Sequence, residues 1–231
     1  LVGLGGGALL GVSMIRSERA GSGAPAVPSD SLLFAEQTVP FPVGNRDSAD
    51  IKRMLADARV SAALTLGAIT RVAPTIDDID SGSGAAFTRL ATSEEFLDSI
   101  DAHAPDELIR ALGKDFFFGF HTVDENAPVL IVPVTSYEHA FEGMLQWEDS
   151  MNADLTPIFT AVPRLTQENG LLKQRPFDDL VMRNYDVRAL KDDGGEIQLY
   201  YSFPTRELLI VAESPYSFTE VLSRLRADRR L

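Results

Sequence analysis

One pattern occurs twice in this chain and constrains its fold more than any other feature. Residues 130–145 read LIVPVTSYEHAFEGML, and residues 209–222 read LIVAESPYSFTEVL. Each copy is an apolar strand, a Ser/Thr cap, and a Tyr that opens an amphipathic helix. Tyr137, Phe141, Met144 and Leu145 make the apolar stripe of the first helix, and Phe218, Val221, Leu222 and Leu225 that of the second. Each strand also closes a hairpin. Phe116 to Val123 returns as Val129 to Val134 around Asp124-Glu125-Asn126, and Ile197 to Phe203 returns as Leu208 to Ala212 around Pro204-Thr205-Arg206. Hairpins pair their strands antiparallel, and a striped helix that follows must bury its stripe on the sheet. The expectation is an α+β fold, a mainly antiparallel sheet with helices packed on one face. Duplication of a β-hairpin–helix unit and convergent patterning explain the likeness equally well, since two copies do not decide.

The remaining elements are read around that unit. Ser31 to Val43, broken by Pro40 and Pro42, predicts a short edge strand. Asp47 or Ser48 caps a helix to about Ser61, with Ile51, Met54, Leu55 and Ala58 on one face. Leu64 to Ile76 predicts a strand ended by Pro74, and residues 77–84 a loop. Thr92 with Glu95, and Thr135 with Glu138, have capping-box spacing. Pro105 to Leu112 predicts a short helix stopped at Gly113. Residues 165–176 read as a polar loop and Phe177 to Leu190 as one long strand, followed by a turn at Asp192-Asp193-Gly194-Gly195. Ser214 and Pro215 start the last helix.

Composition limits what such a fold does. The 231 residues carry a net charge of −13, which argues against nucleic acid as a partner, because phosphate binding needs a basic surface. The absence of cysteine removes disulfides, thiolate nucleophiles and thiolate metal sites.

The N-terminus points to a membrane. Leu1 to Ile15, LVGLGGGALLGVSMI, holds no charge and five glycines, and is short of the roughly 20 residues that cross a bilayer. It reads as the tail of an anchor or as a signal-peptide core with small residues from Ala20 to Ala24 as a cleavage zone. Both place the remainder outside the cytoplasm, while Arg16 and Arg19 weigh the other way. The expected organisation is an anchor or signal remnant at 1–15, a flexible linker at 16–30 and a soluble α+β domain at 31–231.

No catalytic motif is evident. His103, His121 and His139 lack metal-ligand spacing, and Asp77, Asp78 and Asp80 lack the further oxygen ligands of a calcium loop. His139 is spaced to pair with Glu142 at the surface. No cofactor or metal is expected. The chemically richest stretch, Gln146 to Asp154, holds the only Trp. Glu148 lies near the apolar stripe of its helix and needs a cation, for which Arg188 is the candidate. Alternation along 180–188 puts Leu180, Met182, Asn184, Asp186 and Arg188 on one face. Trp147, Glu148, Asn184, Asp186 and Arg188 thus form a candidate binding patch. Its competing reading, which we favour, is a hydrogen-bonded network that locks helix to sheet.

These residues also carry a resemblance. Gly119-Phe120-His121, Tyr137, Ala140 to Leu145, Trp147-Glu148, Met151, Asp154-Leu155, Pro157, Phe177-Asp178-Asp179, Asn184, Asp186 and Arg188 together resemble an uncharacterised family of single-span, membrane-anchored envelope proteins of small-genome candidate-phylum bacteria. The resemblance covers roughly residues 90–215 and implies an anchored, outward-facing domain, with no activity attached. The expected function is a membrane-tethered extracytoplasmic module that contacts an envelope protein partner, rather than an enzyme. The alternative is a small-ligand binder or hydrolase that uses the polar residues around Trp147, Glu148 and Arg188.

Overall fold

The computed structural model describes residues 31–62, 65–123, 125–166, 170–228 and 230–231. The anchor or signal remnant expected at 1–15 and the linker at 16–30 lie outside them. In chain order the elements are β1 (Gln37–Pro42), α1 (Ser48–Ser61), β2 (Ile69–Ile79), β3 (Ala86–Leu90), α2 (Ser93–Ser99), α3 (Asp106–Ala111), β4 (Phe117–Thr122), β5 (Asn126–Pro133) and α4 (Tyr137–Leu155). Then come the two-residue strands β6 (Leu165–Thr166) and β7 (Leu172–Lys173), which pair with each other inside the expected polar loop, followed by β8 (Asp178–Met182), β9 (Tyr185–Lys191), β10 (Ile197–Thr205), β11 (Leu208–Ala212) and α5 (Pro215–Ala227).

The fold is α+β, and among the described residues its main sheet has nine strands in the order β1-β2-β4-β5-β11-β10-β9-β8, with β3 on β2. Every pairing but one is antiparallel. β1 is the edge strand its prolines require, yet it pairs parallel with β2, because α1 carries the chain back between them. β2 does not stop at Pro74. That residue falls where the partner changes from β4, on residues 69–72, to β3, on residues 75–79. A missing N–H is tolerated at such a junction.

The repeated unit sits at the centre of the sheet. Its two strands, β5 and β11, lie side by side with Ile131 opposite Ile210, Leu130 opposite Val211 and Val132 opposite Leu209. Ile131 and Ile210 are also matched by the repeat itself, so the pairing register coincides with a local two-fold axis normal to the sheet. The side chains obey it. Leu130, Val132, Leu209 and Val211 enter one core, and Val129, Ile131, Ile210 and Ala212 enter the other.

The helices break that symmetry. Helices α1 to α4 cover the first face, whereas Phe218, Val221, Leu222 and Leu225 of α5 pack on the second. The expected one-sided packing therefore fails at α5, for a reason of parity. The N-cap Ser136 follows Val134 by two residues, and Val134 faces the first core. The N-cap Ser214 follows Ala212 by two, and Ala212 faces the second. Successive strand residues point to opposite faces, so leaving the strand one residue earlier sends the helix to the other side. The repeat position equivalent to Val134 is Glu213. It is buried on the first face, where its Oε1 accepts from Thr160 N at 2.7 Å and Arg59 Nη1 at 3.1 Å, and burial raises its pKa above the usual carboxylate value.

Helix α5 also fastens the start of the described chain. Leu33 is buried beside it, and Arg224 donates to the carbonyls of Phe34 (3.0 Å) and Gly67 (3.1 Å) and to Glu36.

Candidate functional site

Helix α4 crosses the first face with Ala140, Gly143, Met144, Trp147 and Met151 buried against it. Gly143 is required here, because a Cβ would lie 2.6 Å from the Leu108 Cβ of α3. Glu148 flanks the buried stripe and hangs over β9 and β10. Arg188 and Tyr201 are register partners on those strands, so their side chains rise together beneath it. Glu148 Oε1 accepts from Arg188 Nε at 2.8 Å and from the Tyr201 hydroxyl at 2.7 Å, and Oε2 accepts from Arg188 Nη2 at 2.6 Å. Arg188 Nη1 donates to Asp179 Oδ1 at 3.0 Å, and Asp179 is in turn the register partner of Arg188 on β8. A single row across β8, β9 and β10 therefore converges on one helix carboxylate. The bonds to Glu148 hold the Arg188 guanidinium more firmly protonated than usual. Burial, reinforced by the same carboxylate, keeps the Tyr201 phenol from ionising. The Glu148–Arg188 pairing expected from the sequence is present.

Of the other three residues of the candidate patch, Asn184 and Asp186 line the same surface groove as Arg188, and Trp147 does not. Trp147 is one helix position away from Glu148, about 100° round the axis. Its indole is buried and donates to Asp154 Oδ2 at 2.7 Å. That carboxylate also accepts from Ser150 Oγ (2.8 Å), His103 N (3.1 Å) and His103 Nδ1 (2.9 Å). Burial opposes ionisation of Asp154, but these donors outweigh it and hold the carboxyl below its ordinary pKa. The exposed His103 ring is raised in return by its bond to Asp154. Trp147 thus belongs to a knot that ties the α2–α3 loop to the end of α4. No hydrogen bond among the described residues links its indole to the Glu148 group, although Trp147 and Tyr201 share the first core.

Asn184 and Asp186 are separated from Leu180 and Met182 by a turn. The single strand expected over 177–190 is two strands, β8 and β9, joined by Arg183 and Asn184, whose φ angles are 52° and 67°. The expected shared face is therefore wrong. Leu180 and Met182 pack on the second core, whereas Asp186 and Arg188 are on the α4 side. Asn184 is a turn residue, suited to positive φ by its short amide side chain. The second expected capping box is also absent. Ser136 is the N-cap and its hydroxyl meets His139 Nδ1 at 2.9 Å, Thr135 Oγ1 donates to Ala111 O, and Glu138 pairs with Arg206. The surface partner of His139 is thus Ser136 rather than Glu142.

Beside the Glu148–Arg188 pair lies a groove of about 630 Å³. One wall is aromatic: Tyr137 and Phe141 of α4 pack against Phe203 of β10, with ring centroids 5.3 and 6.1 Å from it. Asp179, Val181, Asp186 and Arg188 line the opposite side. Val181 is 71% exposed, and the Asp179 side chain 87%. Tyr201 and Phe203 were not singled out from the sequence, and Asp179 entered only through the resemblance. The turn at 183–184 brings Asp179 to Arg188, and the Asp192–Gly195 turn, through the β9–β10 register, brings Tyr201 there. Among the described residues no group of three or more His, Asp or Glu is placed to hold a metal ion.

Comparison with models of protein families, with curated proteins and with solved structures returned no match.

Proposed function

We propose that this chain is a membrane-tethered extracytoplasmic module that docks a partner protein in the groove between α4 and the β8–β9 hairpin. The observation that carries the reading is the groove itself, which is open, walled by aromatic rings and rimmed by exposed Val181 and Asp179. Exposed apolar surface rimmed by polar groups is the usual mark of an interaction site. Binding is preferred to catalysis because the charged groups there are committed to one another. Glu148 accepts three hydrogen bonds, and Arg188 donates to two carboxylates. A general acid or base needs a proton it is free to exchange.

The tether rests on the apolar run Leu1 to Ile15 and the Gly/Ser/Pro-rich stretch after it. No helix among the described residues is long and apolar enough to cross a membrane. A photoreactive residue at position 181 of the full chain, compared in intact cells with one at the equally exposed Ile79, tests the docking site. A discrete crosslinked product from 181 and none from 79 is expected. The same products from both positions, or none from 181, count against the groove.

A further inference from the structure

The groove also specifies how a partner would enter it, an inference that rests on the docking role above. β8 is the last strand of the sheet, and among the described residues no strand pairs with its outer edge. Its hairpin loop has two residues, both at positive φ, the type I′ geometry. Such a loop makes Met182–Tyr185 a hydrogen-bonded pair, and antiparallel alternation extends this to Leu180–Val187 and Asp178–Ala189. The backbone N–H and C=O groups of Asp179 and Val181 therefore point out to the open edge. The side chains of the same two residues line the groove. A segment paired with β8 would bond to both backbones and lay alternate side chains over the groove.

The charges say what those side chains are. Arg188 is bonded to Glu148 and Asp179, Asp186 lines the groove beside it, Arg206 at the Tyr137 end is paired with Glu138, and the whole chain carries −13. The aromatic wall accepts a cation within this very chain, since the Arg206 guanidinium lies 4.6 Å from the centre of the Tyr137 ring. We propose that the partner segment is an extended, lysine- or arginine-bearing strand that adds to β8. One basic side chain lies among Asp179, Asp186 and the Tyr137–Phe141–Phe203 wall. A second copy of this chain is the poorer occupant, since it would bring the Asp178-Asp179 edges of two acidic molecules together.

The test uses the full chain in detergent and three labelled hexapeptides. One alternates Lys or Arg with Val, one replaces each basic residue by Glu, and one is the basic peptide N-methylated along one edge so that it cannot pair. Anisotropy gives affinity, and hydrogen exchange reports the amides of Asp179 and Val181. The proposal expects the basic peptide to bind at least tenfold more tightly than either other peptide, more weakly at 300 mM than at 50 mM salt, with at least tenfold slower exchange at both amides. The double substitution Asp179→Asn with Asp186→Asn should cost about tenfold in affinity.

Binding that ignores N-methylation and leaves the β8 amides unprotected overturns strand addition while leaving the groove as a docking site. Equal binding to the double variant reduces the effect to general attraction by an acidic surface and overturns the assigned site. Failure of all three peptides, with position 181 still crosslinking in cells, refutes the partner's basic chemistry alone. Failure of both experiments removes the docking reading as well. Protection of β8 that grows with protein concentration in the absence of peptide makes the occupant a second copy and overturns the proposal.

Discussion

Replacing Glu148 by Ala removes three hydrogen bonds at once, two from Arg188 and one from Tyr201. Leaving one partner of a buried ion pair alone costs about 3–5 kcal/mol. The figure here is smaller, because the Arg188 side chain is 23% exposed and keeps Asp179, so about 2 kcal/mol is assigned to it. The Tyr201 hydroxyl loses its acceptor inside the core, which adds about 1 kcal/mol. The total is about 3 kcal/mol. Urea unfolding at pH 7 reads it directly, with the buried Trp147, the only tryptophan, as the fluorescent reporter. With a slope of about 2–3 kcal/mol per molar for a domain of this size, the midpoint falls by about 1–1.5 M. Glu148→Gln keeps an acceptor and should lose about half as much. A loss below about 0.5 kcal/mol for Glu148→Ala, an ordinary surface value, would refute the argument that the row Asp179–Arg188–Tyr201 is locked to α4 by one carboxylate.

Three further outcomes follow from the same structure. Gly143→Ala drives a Cβ to 2.6 Å from Leu108, so it should destabilise by about 1–3 kcal/mol in the same urea assay despite alanine's better helix propensity. Asn184→Gly should be neutral or slightly stabilising and Asn184→Val should cost about 1–2 kcal/mol, since the position needs positive φ; a binding role for Asn184 would instead show as lost affinity at unchanged stability. His121 is buried on β4 against Ser217, with Glu220, Arg224 and Glu36 as its charged surroundings, and burial lowers its pKa. The unfolded state therefore takes up a proton first, so stability is lost as pH falls from about 6.5 through the folded value; His121→Gln should flatten that part of a stability-versus-pH curve.

Much of the fold was legible because its signals are local. The repeat, the Ser214–Pro215 start, the Thr92–Glu95 capping box and the Asp192–Gly195 turn all specify structure within a few residues, and each appears as read. The side on which a helix packs is not such a signal. It turns on whether the chain leaves the strand at Val134 or at Ala212, a one-residue difference that a sequence pattern does not display. The turn at Arg183-Asn184 was missed because it lacks the glycine that usually marks a two-residue hairpin, and that omission put Leu180 and Met182 on the wrong face. The Glu148–Arg188 pair was found because a carboxylate beside an apolar helix stripe demands a cation. Trp147 was grouped with it on sequence proximity alone, while its real partner, Asp154, is seven residues further along the same helix. The groove was legible only in part: Asn184, Asp186 and Arg188 of the candidate patch line it, but its aromatic wall and outer strand did not show. It is made of surface left uncovered by α4, and its edge strand is identified only by the strand order.

The most direct test of the tethered, outward-facing role is protease accessibility of the full-length protein in intact cells, run beside membrane fractionation. The account predicts that the protein pellets with membranes and that the domain after Ser31 is cleaved from outside. A domain protected until the cells are lysed, or recovered free in the cytosol, would contradict it and leave the apolar run Leu1 to Ile15 needing another explanation.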